Sequence, residues 1–331
     1  MSENNVKPAY NAKRRIQLLF GFVVMLIVGI TAGWFYVAGK IDTAAGDAIE
    51  QQAALGNDVR CDGRDVLGYP FRFGLFCDAF AFESQPQGLV FKAGAVRSAA
   101  QFYAPRDLIV ELDGPANVER SGLQSIWIDW SQMRARILAT EPLPQNISVS
   151  GQDIIIGQSE SQPLLKAAAL ELFMRVAGSD VDIAGRTTDF EFESQLDQLN
   201  NLPPLGGDFD IRVTDGARLL LEGQQSLRGV DAMIKRVALL LNDDRGIIVS
   251  GPATITDDGL LSGDLSLRVV DVDAVLAVLT KALPDAAPLM TAFANGQPRT
   301  GENSDEIELQ ITIDGGQARL GLIPLGMIPP I

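Results

Sequence analysis

Between Arg15 and Lys40 the chain runs for twenty-four residues, Ile16 to Gly39, without a charge. As a helix rising about 1.5 Å per residue it covers roughly 36 Å, more than the ~30 Å hydrocarbon core of a bilayer. A segment of this kind is solvated by lipid, and its flanks orient whatever follows. Lys7, Lys13, Arg14 and Arg15 precede it; after Lys40 the next base is Arg60, with Asp42, Asp47, Glu50 and Asp58 between. The positive-inside rule therefore keeps the basic tail, 1–15, in the cytoplasm and sends everything after the span across the membrane. Trp34 and Tyr36 stand near the far end, where amphipathic rings prefer the interface. A secretory signal shares the basic start, but its apolar region is about 7 to 15 residues long, so 16–39 reads as an uncleaved transmembrane anchor. Residues 41–55, free of proline and rich in Ala, Gln, Asp and Glu, continue as a stalk helix, and 56–331 form one translocated, β-rich domain.

The acidity of the chain belongs to that domain. Beyond Lys40 there remain 22 bases against 41 acids, a net charge of −19. Such a surface repels phosphate backbones, which excludes nucleic acid as a partner. The chain holds no histidine, so Ser-His-Asp and Cys-His nucleophile systems and histidine-bearing zinc sites are absent. No G-x-S-x-G, phosphate-cradling glycine loop or EF-hand spacing replaces them. The reading is a non-enzymatic protein with no cofactor, no metal site and no catalytic residues.

Both cysteines, Cys61 and Cys77, fall on the translocated side, where disulfides persist, and are expected to pair. Between them Gly68 and Pro70 mark a turn followed by aromatics, which reads as a hairpin clamped across its arms. Phe71, Phe73 and Leu75 fall on one face and Arg72, Gly74 and Phe76 on the other. Tyr69, Pro70, Phe71, Arg72 and Phe73 are the candidate interaction residues here. Two readings stay open: a rim for a headgroup or partner, or aromatics filling the start of a core.

Strict alternation dominates the rest. Phe209, Ile211 and Val213 interleave with acids and Arg212; Leu265 and Leu267 with Asp264, Ser266 and Arg268; Ile307, Leu309, Ile311 and Ile313 with Glu308, Gln310 and Thr312. These nine residues are the candidate apolar sheet face, each strand having one greasy and one wet side. Shorter runs recur at 90–96, 108–112, 126–130, 147–156, 181–183 and 190–193. Asp113-Gly114-Pro115, Asp215-Gly216, Asp258-Gly259 and Asp314-Gly315 supply turn residues. Helical spacing is read at Leu227, Val230, Ile234, Val237 and Leu241, at 271–283, and at 286–294, these helices covering part of the sheet. Leu164 to Val176 suits helix or strand, with strand preferred. Residues 297–305 read as a polar loop, and the apolar tail 320–331 either packs on the sheet edge or lies exposed. The fold class is α+β, mostly antiparallel β: a transmembrane helix, then a long curved or grooved sheet of consecutive hairpins with a few covering helices.

Gly68-Tyr-Pro-Phe-Arg72 held between two cysteines, Gln101-Phe-Tyr-Ala-Pro105, Gly114-Pro115 and the terminal Gly-x-x-x-Leu-Gly-x-x-Pro-Pro pattern together resemble the domain of unknown function 2125 family (DUF2125) of Gram-negative inner-membrane proteins. That resemblance covers essentially everything after the span. It implies an inner-membrane anchor with the main domain in the periplasm, and no catalytic motif. More remotely, the Asp-Gly hairpins followed by amphipathic helices look like AsmA-type envelope proteins, which implies a curved sheet with an apolar trough and a role in lipid passage or envelope homeostasis. Two functions follow as expectations. One is contact with phospholipid or another acyl-chain ligand through an open sheet face; the other is a periplasmic scaffold with a closed core and an envelope protein as partner.

Overall fold

The computed structural model describes residues 12–193, 202–222, 226–242, 244–282, 284, 287–300 and 305–330. Helix α1 (Ala12–Ala54) is continuous over 43 residues, about 65 Å at the usual rise, so the anchor and the stalk are one rod.

The chain then turns back into a single antiparallel meander. Its first ten strands are five long arms, each interrupted once: β1 (Asn57–Asp62) with β2 (Asp65–Leu67), β3 (Arg72–Cys77) with β4 (Ala79–Ser84), β5 (Leu89–Ala93) with β6 (Val96–Gln101), β7 (Ala104–Leu112) with β8 (Ala116–Arg120), and β9 (Ile126–Asp129) with β10 (Gln132–Leu138). Cys61 opposes Phe80 and Asp65 opposes Phe76, a single register across both halves of the first hairpin. The interruptions form a crease running across neighbouring arms. Main-chain bonds carry pairing over it, from Asp78 N to Asp62 O (2.7 Å), Gly94 N to Asp113 O (3.1 Å) and Ser131 N to Gln152 O (3.0 Å). Asp153 and Asp189, at φ 50° and 48°, continue the crease into the next strands, an aspartate being among the few residues that tolerate a left-handed bulge position.

Beyond the creased arms come the long strands β11 (Asn146–Ser159), β12 (Gln162–Ala177) and β13 (Asp180–Phe192), then β14 (Leu205–Val213), a short α2 (Gly216–Leu221), β15 (Val230–Asn242), β16 (Arg245–Ile255) and β17 (Leu261–Val270). Helices α3 (Val272–Ala282) and α4 (Ala287–Asn295) intervene before β18 (Glu306–Asp314), β19 (Gln317–Leu320) and β20 (Ile323–Met327). Each strand from β11 onward pairs antiparallel with the next. Residues 164–176, ambiguous in sequence, lie in β12.

Two expectations are corrected. Residues 227–241 do not form a helix; they are mostly strand β15, paired on both sides, because a bulge near Lys235 shifts the phase of its apolar residues. Asp113-Gly114-Pro115 does not reverse the chain. It bends one arm, with β7 and β8 lying against β6 and β5 of the same neighbour. Asp215-Gly216 does begin the reversal from β14 to β15, by way of the helical turns of α2. Within 297–305, Thr300 bridges Glu306, and 301–304 lie outside the described residues, as does most of the basic tail, 1–11. The apolar tail supplies the edge strand β20, whose residues are exposed.

The accessible surface is 21287 Å² for a chain of 35.6 kDa, against about 13,000 Å² for a compact monomer of that mass. The bare helix supplies part of the excess and the open sheet the rest. Two small buried clusters form where helices meet the sheet: Trp34, Ala38 and Val66, with Phe73 and Leu75, where α1 meets the first hairpin, and Val272, Ala294 and Ile307 at α3 and α4. Other buried side chains, such as Val181, Leu205, Val230 and Ile313, lie elsewhere along the strands.

Candidate functional site

Cross-strand partners in an antiparallel pair share a face, so the register traces what each face carries. One row runs Val110, Ala135, Val149, Leu172, Gly185, Phe209, Val237, Val249, Leu267, Leu309, crossing ten strands without a polar side chain. A second runs Phe73, Ala100, Leu108, Ile137, Ile147, Met174, Ile183, Ile211, Ile234. β12 and its neighbours are up to 16 residues long, about 50 Å at 3.3 Å per residue, so the rows line a broad surface.

Among the described residues this face is covered by helices at its two lateral ends and by α2, whose Gly216 sits against the buried Val181 at one strand end. Trp34 of α1 stacks on Phe73 with ring centroids 5.7 Å apart, and α3 and α4 lie over Ile307, Leu309 and Val269. Away from these helices Val110, Ile137, Val149, Leu172, Met174 and Ile211 are half-buried, and Ile183 is 37 % exposed. A second layer would have buried them fully.

The nine candidate face residues divide accordingly. Phe209, Ile211, Val213, Leu267 and Ile311 are half-buried, as is Leu309 beside the helices, whereas Ile307 is buried under the far cap and Leu265 and Ile313 are buried farther along their strands. Gly185 exists where a Cβ would collide with the Phe209 ring, so that ring lies down across the strand beside it.

The opposite face is a ladder of ion pairs. Arg134 and Arg97 flank Glu111, Arg136 binds Asp107, and Arg236 binds Asp208 at 2.5 Å. Asp182 collects Arg212 (2.7 Å), Arg175 (2.7 Å) and Lys235 (3.2 Å). Hydrogen bonds from Arg212 and then Arg175 hold the Asp182 carboxyl well below the usual carboxylate range, against the opposing pull of desolvation. A groove of about 910 Å³ on this side is lined by Glu171, Arg186, Asp208, Asp210 and Arg236, with Phe173. Arg134 and Arg136, which follow Trp127 and Trp130 in the chain, thus have carboxylate partners, and the Trp130 indole donates to Leu112 O at 2.8 Å. Among the described residues no group of three or more His, Cys, Asp or Glu side chains could hold a metal ion.

In the first hairpin Cys61 and Cys77 form a disulfide. The candidate residues inside it separate into two roles. Phe73 packs on Trp34, the Arg72 carbonyl accepts the Trp34 indole proton at 2.8 Å, and the Tyr69 hydroxyl bonds Thr31 Oγ1 at 2.8 Å. Phe71, beyond Pro70 at the tip, turns outward against Phe102, which the sequence marks only as part of the Gln101–Pro105 pattern. Its exposure depends on β3 and β6 ending side by side, which periodicity does not reveal.

Helix α1 is long and apolar enough to cross a bilayer, and its exposed apolar side chains suit a single-pass anchor for the β-rich body. No curated protein and no solved structure matches the chain. Residues 34–329 match the family model described as uncharacterized protein conserved in bacteria (DUF2125), and the chain belongs to that family.

Proposed function

We propose that this is an inner-membrane protein with its N-terminus in the cytoplasm and its sheet in the periplasm, where it takes up acyl chains on the uncovered apolar face and so supports the lipid balance of the envelope. The uncovered face carries the reading. A sheet with one greasy side needs something to exclude water from it, and acyl chains match its chemistry and breadth. The basic Lys13, Arg14 and Arg15 against the acidic stalk support the orientation. The remote resemblance to AsmA-type proteins belongs to this proposal, since a single-layer apolar trough is what it implies. The role is binding, without catalysis.

One observation favours a second reading, an interaction module for an envelope protein. Among the described residues edge strand β20 pairs on one side only and exposes Ile323, Leu325 and Met327, a template for an added strand. The two readings part in one experiment. Full-length protein extracted in mild detergent is examined by native mass spectrometry, alone and as Ile183→Arg and Phe173→Arg. Lipid uptake predicts bound phospholipid that Ile183→Arg removes and Phe173→Arg, on the charged face, leaves in place. A lipid-free protein, or equal loss in both variants, overturns it.

A further inference from the structure

The first hairpin runs back along α1 toward the membrane, and its tip reaches into the span. Asn57 Nδ2 bonds Gln52 at 2.9 Å, Arg64 bonds Asp42 at 2.9 Å, and the Tyr69 hydroxyl meets Thr31 at 2.8 Å. Thr31 precedes Lys40, the first charge after the span, by nine residues, so the tip lies about 13 Å deeper than that charge. The headgroup layer is only about 5 to 8 Å thick on each side. With Lys40 at the outer edge of the headgroup layer, the tip has therefore passed the headgroups.

Its composition fits that depth. Tyr69 is 50 % exposed, Phe71 60 %, Phe102 56 % and Tyr103 72 %. The Phe71 and Phe102 rings lie 6.3 Å apart and the Phe102 and Tyr103 rings 5.4 Å, joining the β2–β3 and β6–β7 turns into one patch. Neither turn has a charged residue between Gly68 and Phe71 or between Gln101 and Pro105. Arg72 and Arg106 border them, both exposed. Aromatic rings with a cationic border are the composition of a membrane interface, and in water this patch would stand unsupported.

We infer that the Phe71 and Phe102–Tyr103 turns are seated in the bilayer that α1 spans, with Arg72 and Arg106 at lipid phosphates. The inference rests on the anchor reading. Its consequence for the proposed function is that the apolar row beginning at Phe73 starts at the leaflet, so an acyl chain could move from membrane to sheet without crossing water.

The test uses the full chain in phosphatidylcholine–phosphatidylglycerol vesicles. Single cysteines at Tyr103→Cys, Phe71→Cys, Phe35→Cys and Gln124→Cys carry an environment-sensitive dye, the native disulfide being left oxidised. Position 124 lies in the turn at the other end of the same arms. Quenching by shallow spin-labelled lipid at 103 and 71 should match position 35 within about twofold, with 124 unquenched. Quenching at 35 but not at 103 and 71 overturns the inference and leaves the anchor standing; no quenching at 35 overturns both.

Discussion

The indole N–H of Trp34 is donated to the carbonyl oxygen of Arg72 across 2.8 Å, which fastens the membrane helix to the first hairpin beside the turn that reverses it. The Trp34 ring also stacks on Phe73 and meets Tyr69 edge-on at 5.6 Å. Trp34→Ala should therefore free the hairpin at a local cost of about 3 kcal/mol, the scale of a large aromatic deletion. Hydrogen exchange of the full chain in detergent should quicken across 57–77 and remain unchanged in β16 to β18, because the sheet lacks a core that would spread the loss. Equal quickening throughout would show that the two ends are coupled.

Phe209 lies over Gly185, its partner in the register, and a methyl group there would strike the ring. Gly185→Ala should lift the ring from the sheet and destabilise it by about 1 to 3 kcal/mol, read as a lower denaturation midpoint. Gly185→Ala combined with Phe209→Leu should recover most of that loss, since a shorter side chain clears the added carbon. No recovery would mean that Leu172, whose Cδ2 also crowds the added carbon, and not the ring, requires glycine.

The sheet was largely legible from alternation, because a half-wet strand writes its two faces into the sequence at a period of two. β18 illustrates it, with Ile307, Leu309, Ile311 and Ile313 on one side throughout. β15 shows where that code fails. Its residues 230, 232 and 234 precede a bulge and 237 and 239 follow it, all on the same face. The extra residue turns spacings of two into the four-three-four steps of a helix. The difference bears on function, since a helix at 227–241 would cover the face that β15 instead extends. Whether a greasy face is covered depends on contacts between distant elements, which local patterning does not encode. For the same reason the pairing of Phe71 with Phe102 stayed hidden, though each turn was visible.

Asp182 offers a pH test. Its carboxyl is held well below the usual carboxylate range by Arg212, then Arg175, and by Lys235. A depressed folded value contributes stability that is complete above the unfolded value, about 3.9, and is lost as pH falls from there toward the folded one. Asp182→Asn should thus destabilise at neutral pH by about 1 kcal/mol, a modest figure because the cations are solvent-screened in a one-layer sheet. The gap between the two proteins should hold constant above about pH 5 and narrow below pH 4. A gap that widens in acid would contradict this assignment.

The central claim is that lipid, not protein, covers the middle of the apolar face. A photoreactive amino acid placed at Ile183 or Leu239 on that face, and at Phe173 on the charged side, is irradiated in intact cells expressing the full chain. The account predicts covalent lipid adducts by mass spectrometry at 183 and 239 and none at 173. Protein adducts at 183 and 239, or lipid in equal amounts at all three positions, would contradict it.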